Sequence, residues 1–283
     1  MTIRHAVVTG ATSGIGRWIA RGLAEAGFSL SLIARNSGRA KAARDWILAA
    51  APRSEIDLFL ADLSLLAETR AAGAAIQRSH PRIALLVNNA GLLTPRRDVT
   101  QEGHEKTIAT NLLSPLALTE ALLPALTAAA PARVVMVGSS SSDRAVIDPD
   151  NLDLTHGWRM SRAYARSKLG LLIMSRNWAA RLAGRGVTLN TVHPGLVATR
   201  IVRHGGIDGL AWRMMAPFSL TPQQGAQTPL FACLSPELQG RTGLYLKRRR
   251  EATPNPRVFD AALAERLESA VLARLASSVP GSG

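Results

Sequence analysis

Ala6-Val7-Val8-Thr9-Gly10-Ala11-Thr12-Ser13-Gly14-Ile15-Gly16 runs almost directly into Trp18-Ile19-Ala20-Arg21-Gly22-Leu23-Ala24. The opening residues are a short apolar run of strand character, and the closing ones carry apolar side chains at helical spacing. A strand, a glycine turn and a helix in that order set free backbone N–H groups and the positive helix end against a phosphate. The glycines let the backbone approach without Cβ clashes. The spacing is G-x-x-x-G-x-G in place of the commoner G-x-G-x-x-G, so the loop taken alone reads as a nucleotide cradle or as a plain tight turn.

Outward from this stretch, short apolar runs alternate with longer helical patterns, the signature of repeated βαβ units. The pattern predicts strands at Ile3–Thr9, Ser29–Ala34, Glu55–Leu60, Ala84–Asn88, Arg133–Val137, Thr188–His193 and Gly243–Leu246. The expected architecture is a single α/β domain over residues 1–283, a doubly wound, parallel, seven-stranded sheet flanked by helices. Helices fill the gaps, including a long one from Gln101 to Ala129 that Pro115 and Pro124 interrupt or kink. Residues 197–220 break the alternation. With Leu196, they bring Ile201, Val202, Leu210, Trp212, Met214, Met215 and Phe218, enough apolar surface to cover a bulky lipophilic molecule or simply to fill a core. In the tail, Phe259, Leu263, Leu267, Val271 and Leu275 recur every fourth residue and predict a C-terminal helix over 258–276.

Composition narrows the classes. At 283 residues and 47% hydrophobic content the chain can bury a large core. No run approaches the ~18 apolar residues of a membrane span, and the first strand begins too close to Met1 for a signal peptide. A lone cysteine, Cys233, excludes a disulfide framework and a cysteine-based zinc site, and the six histidines contain no H-x-x-x-H pair. A cytoplasmic protein without a metal is expected. The net charge of +14 raises nucleic acid or an anionic membrane as partners. Its arginines are dispersed, however, and Lys247-Arg248-Arg249-Arg250 is the only dense run, which reads as a solvated surface and not a nucleic-acid site.

Tyr164-Ala-Arg-Ser-Lys168 opens an apolar helical pattern running from Leu169 to Leu182. Residues i and i+4 share a helix face, so phenol and ammonium can point at the same atom. A phenol ionises near pH ~10 when unperturbed. One positive charge about 4 Å away in a partly screened site contributes roughly 4 kcal/mol, or about 3 pKa units, and brings the phenol near neutrality. That makes Tyr164 a candidate general acid/base. The bland alternative is a helix-surface pair.

Several motifs in a fixed order decide between them. Thr9-x-x-x-x-Gly14-x-Gly16 with Gly10, then Asp62-Leu63, Asn88-Asn89-Ala90-Gly91, Asn111, Ser139, Tyr164-x-x-x-Lys168 and His193-Pro194-Gly195 followed by Thr199 make the chain resemble the short-chain dehydrogenase/reductase family from about Ile3 to Leu246. Within it the chain is most similar to retinol-dehydrogenase-like members. That narrower likeness rests on the long Ser139-to-Tyr164 interval containing Asn151-Leu152, on Val192-His193-Pro194-Gly195 and on Thr221-Pro222-Gln223-Gln224-Gly225-Ala226-Gln227-Thr228.

The resemblance implies a catalytic tetrad. Tyr164 exchanges the proton with the substrate oxygen, Lys168 lowers its pKa while holding the nicotinamide ribose, Ser139 hydrogen-bonds the substrate oxygen, and Asn111 fixes a helix kink and a water linking Lys168 to solvent. Ser139 is chosen from four consecutive serines because it lies just past the expected strand; Ser140 is the second choice. Gly138, where many relatives carry another serine, is expected to loosen the loop. A serine hydrolase is disfavoured because G-x-S-x-G is absent around this cluster.

The resemblance also implies a cofactor surface made of Gly10, Thr12, Ser13, Gly14, Ile15 and Gly16 in the glycine loop, Asp62 and Leu63 at the adenine, Asn88, Asn89, Ala90 and Gly91 along the adenosine ribose, Tyr164 and Lys168, and Pro194, Gly195, Val197 and Thr199 at the carboxamide. The second strand ends in Ala34-Arg35-Asn36. With no carboxylate to repel a phosphate and the Arg35 guanidinium to fork it, NADP(H) is expected as cofactor. Arg39 and Lys41 either assist or face solvent. The implied activity is an NADP(H)-dependent interconversion of an alcohol with a ketone or aldehyde on a small lipophilic substrate. A non-catalytic NADP(H)-sensing module on the same fold is the alternative. Relatives form homodimers or homotetramers through the long helices, whereas the long segment before Tyr164 could leave this chain monomeric.

Overall fold

β1 (Arg4–Thr9), β2 (Phe28–Ala34), β3 (Ile56–Leu60), β4 (Leu85–Asn88), β5 (Ala132–Val137), β6 (Val187–His193) and β7 (Tyr245–Lys247) pair in parallel, and β8 (Arg250–Glu251) turns back antiparallel on β7. This computed structural model describes residues 4–197 and 219–277. The strand order is β3-β2-β1-β4-β5-β6-β7-β8. Chain direction across the sheet therefore reverses between β1 and β4, which leaves a crevice at their carboxyl ends.

The sheet has eight strands where the apolar pattern predicts seven. The eighth hides inside the basic run: Arg248 (φ 50°) and Arg249 (φ 63°) form a two-residue turn that pairs Lys247 with Arg250. Two positive-φ residues suit a hairpin, but the usual signal is Asn-Gly. Arginine at both positions conceals it.

Helices cover both faces, so the strands are buried on both sides. On one face Ala6, Val8, Leu30, Leu32, Val87 and Val135 pack under α1 (Gly14–Glu25), α2 (Ser37–Leu48) and, further along, α6 (Pro222–Gly225) and α7 (Gln227–Leu234). Thr221 and Gln224 close α6 with a reciprocal capping box. On the other face Val7, Ile33, Leu86, Val134 and Leu189 meet α3 (Leu66–Ser79), α4 (Lys106–Ala128), α5 (Met160–Arg181) and α8 (Ala261–Ser277). The tail helix begins at Ala261, later than the spacing suggests, because Pro256–Phe259 form a separate 3-10 turn. Residues 198–218, which hold most of the expected substrate-covering segment, lie outside the described residues.

Helix α4 differs from the expected Gln101–Ala129. It starts at Lys106, where the Glu105 carboxylate accepts from Ile108 N at 2.9 Å, while Val99 and Glu105 bridge as extended chain. Its second turn, Ala109–Leu113, is π-helical. Pro115 supplies the reason: it has no N–H for the carbonyl four residues back, that of Asn111, and its ring crowds that oxygen. Pro124 is carried inside the helix. Lys106–Ala128 is long and apolar enough to cross a membrane by length and composition, yet most of its apolar stretch is buried in the fold.

Far from the crevice, the start of β1 carries a buried histidine. His5 Nδ1 and Nε2 lie 2.8 Å from the hydroxyls of Ser29 and Ser31, and its ring stacks on His80 at 3.6 Å. Burial, then the neighbouring His80, lower its pKa from 6.5 to about 4, against a weaker upward pull from Asp57. The folded chain thus refuses a proton that the unfolded chain accepts. Stability from this site is complete above about 6.5 and is lost as pH falls towards about 4. Urea unfolding across this window is expected to show a slope of stability against pH that is shallower in His5→Asn by up to about 1.4 kcal/mol per pH unit. An unchanged slope contradicts the assignment.

Candidate active site

The crevice is a cavity of about 590 Å³ at the carboxyl ends of β1, β2, β4, β5 and β6. Its floor is two loops tied together. The Thr9 hydroxyl accepts the backbone N–H groups of Asn89 (3.0 Å) and Ala90 (2.9 Å), and Asn89 Nδ2 donates back to the carbonyls of Thr9 (3.0 Å) and Gly10 (3.3 Å). Glycine is required by this closeness: a Cβ on Gly16 would meet Gly10 O at 2.3 Å, and one on Gly10, already at φ 67°, would meet Ala90 Cα at 2.9 Å. Helix α1 points its N-terminus here, and the Ser13 side chain makes no capping bond. The loop can therefore present its N–H groups and the positive helix end to a phosphate.

Gly10, Thr12, Ser13, Gly14, Ile15, Gly16, Arg35, Asp62, Leu63, Asn89, Ala90, Gly91, Pro194, Gly195 and Val197 all line this cavity. Thr199 lies outside the described residues. Asn88 is a correction: its side chain turns into the core and donates to Thr119 Oγ1 at 3.1 Å, away from the cavity. Strand alternation explains this, since the neighbour Asn89 faces the opposite way. At the far end, the Arg35 guanidinium is 66% exposed and 3.7 Å from Asp62 Oδ2. Burial alone would raise the Asp62 carboxyl. Hydrogen bonds from the Ser64 N–H and hydroxyl, with the Arg35 charge, outweigh it and hold the carboxyl below its ordinary value. Asn36 caps α2 by accepting from Arg39 N, so the turn after β2 places no acid at this end of the cavity.

At the other end stand Ser139, Tyr164 and Lys168. Ser139 follows β5, with Ser141 N donating to its Oγ at 3.2 Å, and lines the cavity together with Tyr164. Ser140, the second choice, is exposed and does not line the cavity; its backbone N–H donates to His193 Nδ1 at 3.1 Å. Tyr164 and Lys168 share a face of α5. Lys168 is buried and donates to the Val137 carbonyl at 2.8 Å, leaving its nitrogen 5.9 Å from the Tyr164 ring centroid.

This geometry corrects one electrostatic expectation. The phenol does not rest near neutrality: burial pushes Tyr164 above its ordinary value and outweighs the opposing pull of the neighbouring Ser139 hydroxyl. Burial also brings Lys168 down to about 8. Lys168 donates to a backbone carbonyl, and desolvation is the largest influence on each group.

Asn111 occupies the π-turn with both ends of its amide engaged. Nδ2 donates to Leu92 O and Ser167 Oγ, each at 3.0 Å, and Oδ1 accepts from Leu92 N at 2.8 Å. Ser167 in turn donates to Tyr164 O at 2.8 Å. Leu92 and Ser167 are partners the sequence reading missed. Ser167 stands inside the Tyr164–Lys168 motif and could have been questioned there, whereas nothing in the sequence marks Leu92.

A phosphate-cradling glycine loop facing a serine, a tyrosine and a lysine in one crevice is the build of a dinucleotide-dependent oxidoreductase. The family model described as short chain dehydrogenase matches residues 4–206. Retinol dehydrogenase 12 of Bos taurus is 34% identical over 92% of this chain and 83% of its own. Polyprenol dehydrogenase of Mus musculus is 35% identical over 93% and 81%. A solved short chain dehydrogenase from Burkholderia cenocepacia, in complex with NADP, is 26% identical with a TM-score of 0.71, over 86% of this chain and 95% of that one. The chain belongs to the short-chain dehydrogenase/reductase family, in its retinol-dehydrogenase-like branch, and is an oxidoreductase acting on CH–OH groups.

Gly138 corrects a last expectation. It does not loosen the serine loop: its N–H is bonded to Val192 O at 2.8 Å, and a Cβ here would come 2.9 Å from Thr191 Cγ2. Threonine is stiff about χ1 and yields little. Gly138→Ser is therefore expected to destabilise by about 1–3 kcal/mol through overpacking, seen as a fall of about 2–4 °C in Tm per kcal/mol. Thr191→Ser, which removes the opposing methyl, should recover most of it. A Gly138→Ser chain with unchanged Tm would show the contact to be slack.

Proposed function

We propose that this chain is an NADP(H)-dependent oxidoreductase that interconverts an alcohol and a ketone or aldehyde on a bulky apolar substrate, with Tyr164 as general acid/base. The observation that carries the reading is the gathering of Ser139, Tyr164 and Lys168 in the same cavity as the glycine loop. The glycine loop, Arg35, Asp62 and the Asn89–Gly91 turn would hold NADP(H), which would supply or accept the hydride. Reduction places growing negative charge on the carbonyl oxygen, and the Ser139 and Tyr164 hydroxyls are the donors on this part of the cavity wall that would receive it. Tyr164 then gives up its proton. The raised phenol stays protonated at neutral pH, the form reduction needs. The Lys168 ammonium, on the same helix face, attracts the phenolate as it forms, more strongly the better the site is shielded from water.

The choice of NADP(H) is supported by the Arg35 guanidinium just past β2, in a turn, Arg35-Asn36, that brings no carboxylate of its own to oppose a 2′-phosphate; the nearby Asp62 pairs with Arg35 at 3.7 Å. The Burkholderia cenocepacia relative, crystallised with NADP, agrees. An apolar substrate is supported by Leu92, Leu93, Met160 and Leu196 on the cavity wall, and by relatives named for retinol and polyprenol. The compartment that goes with this reading is the cytoplasm.

Two outcomes test it. Tyr164→Phe should bind NADPH as the parent does, by fluorescence titration, and lose turnover of a lipophilic aldehyde by about 10²–10⁴-fold; near-parental turnover removes Tyr164 from the chemistry. Arg35→Asp should weaken NADPH by about 10-fold or more while changing NADH little, the loss expected for a charged hydrogen bond of about 1.5–3 kcal/mol. Equal effects on both cofactors would end the case for Arg35 as the phosphate ligand.

A further inference from the structure

The loop that carries Ser139 is gripped from behind by the last strands of the sheet. Lys247 Nζ is 2.6 Å from Asp143 Oδ2, and the Tyr245 hydroxyl is 3.2 Å from Asp143 Oδ1 and 3.4 Å from Ser139 O. A phenol has one hydrogen, and the charged acceptor at the shorter distance takes it. Asn255, buried at 2% exposure, donates through Nδ2 to Ser142 O at 2.8 Å and Ala145 O at 3.0 Å. Within the loop the bonds are local, Ser142 N and Oγ to Ser139 O at 3.1 and 2.7 Å, Ser141 N to Ser139 Oγ at 3.2 Å and Asp143 N to Ser140 O at 3.0 Å, and Ser140 N reaches out to His193 Nδ1 at 3.1 Å. Tyr245 and Lys247 pair with Thr191 and His193 of β6, so the clamp is built on the sheet itself.

We propose that Asp143 is a positioning residue: clamped by Lys247 and Tyr245, its carboxylate fixes the Ser139–Asp143 turn on β7 and so aims the Ser139 hydroxyl at the reacting oxygen. The inference rests on the reading of Ser139 given above. Four consecutive serines with a glycine before them offer several turn conformations, and an external anchor selects one. The selection matters because a 1 Å error in a reacting group costs about 10²-fold in rate. Asp143 lies four residues beyond Ser139 and touches it only through the turn and Tyr245.

The test is Asp143→Ala, Asp143→Asn and Lys247→Met, each made in the parent chain and in Ser139→Ala, with kcat, KM for NADPH and Tm measured on a lipophilic aldehyde. In the parent, Asp143→Ala should lower kcat about 10-fold or more with KM for NADPH unchanged. Asp143→Asn, whose amide oxygen still accepts from Tyr245, should recover part of the loss. Lys247→Met keeps the Tyr245 contact and should lower kcat less, which leaves the proposal testable if Asp143→Ala folds poorly. In Ser139→Ala, none of the three should cost anything further. Equal losses in both backgrounds, or a loss confined to Tm and NADPH affinity, mark a merely structural residue and overturn the proposal. Unchanged kcat in a parent that is active also overturns it, with the activity reading intact. A parent that turns over no carbonyl or alcohol in a broad panel refutes the activity reading, and the role of Asp143 falls with it.

Discussion

The reversal of strand order between β1 and β4 is the constraint on which the site depends. It splays the loops after these strands apart, and a crevice that opens between two loops is only as defined as the contact between them. Thr9 and Asn89 make that contact: one hydroxyl receives two backbone N–H groups of the second loop, and one amide answers with two bonds to the first. Gly10 and Gly16 are the steric counterpart, since any Cβ there would drive the loops apart. Polar bonds and absent side chains together fix the cradle to which α1 lends its helix end.

The same logic recurs at the reacting end, with a helix irregularity doing what the glycines do in the cradle. Pro115 cannot return an N–H to Asn111, so α4 takes a π-turn and sets Asn111 off the regular helical path. Its amide then has the reach to hold the backbone of Leu92 with two bonds and Ser167 with a third. Ser167 passes the constraint to the carbonyl of Tyr164. Three segments distant in sequence, the turn at Leu92, the π-turn of α4 and helix α5, are thereby locked at the level of the crevice, and a small displacement of any one is resisted by the others.

Much of this was legible in the sequence because it obeys local rules. Short apolar runs and the 3.6-residue helical period mark seven strands and the main helices, and the glycine spacing marks the cradle. The readable site residues were those whose side-chain chemistry and spacing coincide, such as Tyr164 with Lys168 on one helix face. What escaped has no local signature. The β7–β8 turn places arginines where glycine or asparagine is the usual cue. Asn88 and Asn89 look alike in sequence, and only strand alternation sends one into the core and the other to the cavity. Gly138 suggested a loose loop, but the space beside it is filled by Thr191, 53 positions away in the chain.

Burial explains why the Tyr164–Lys168 pair differs from its reading as a simple ion–phenol couple. Moving an ammonium out of water costs several kcal/mol even after relaxation, and Lys168 meets part of that cost by donating to Val137 O at 2.8 Å. That bond uses one of three donors. The nitrogen remains at the crevice wall, where a Cβ on Gly91 would lie 3.5 Å from it. Desolvation brings its pKa down to about 8 and pushes the phenol up, so both groups hold their protons at neutral pH, the lysine close to releasing its own and the tyrosine far from it. A phenolate forming on Tyr164 changes this balance, because the attraction between the two is strongest where water is excluded. The pair is thus neutral-and-cationic at rest and becomes an ion pair only when charge moves onto the phenol, and stabilisation that appears only at that moment is the kind that accelerates a reaction instead of merely tightening binding.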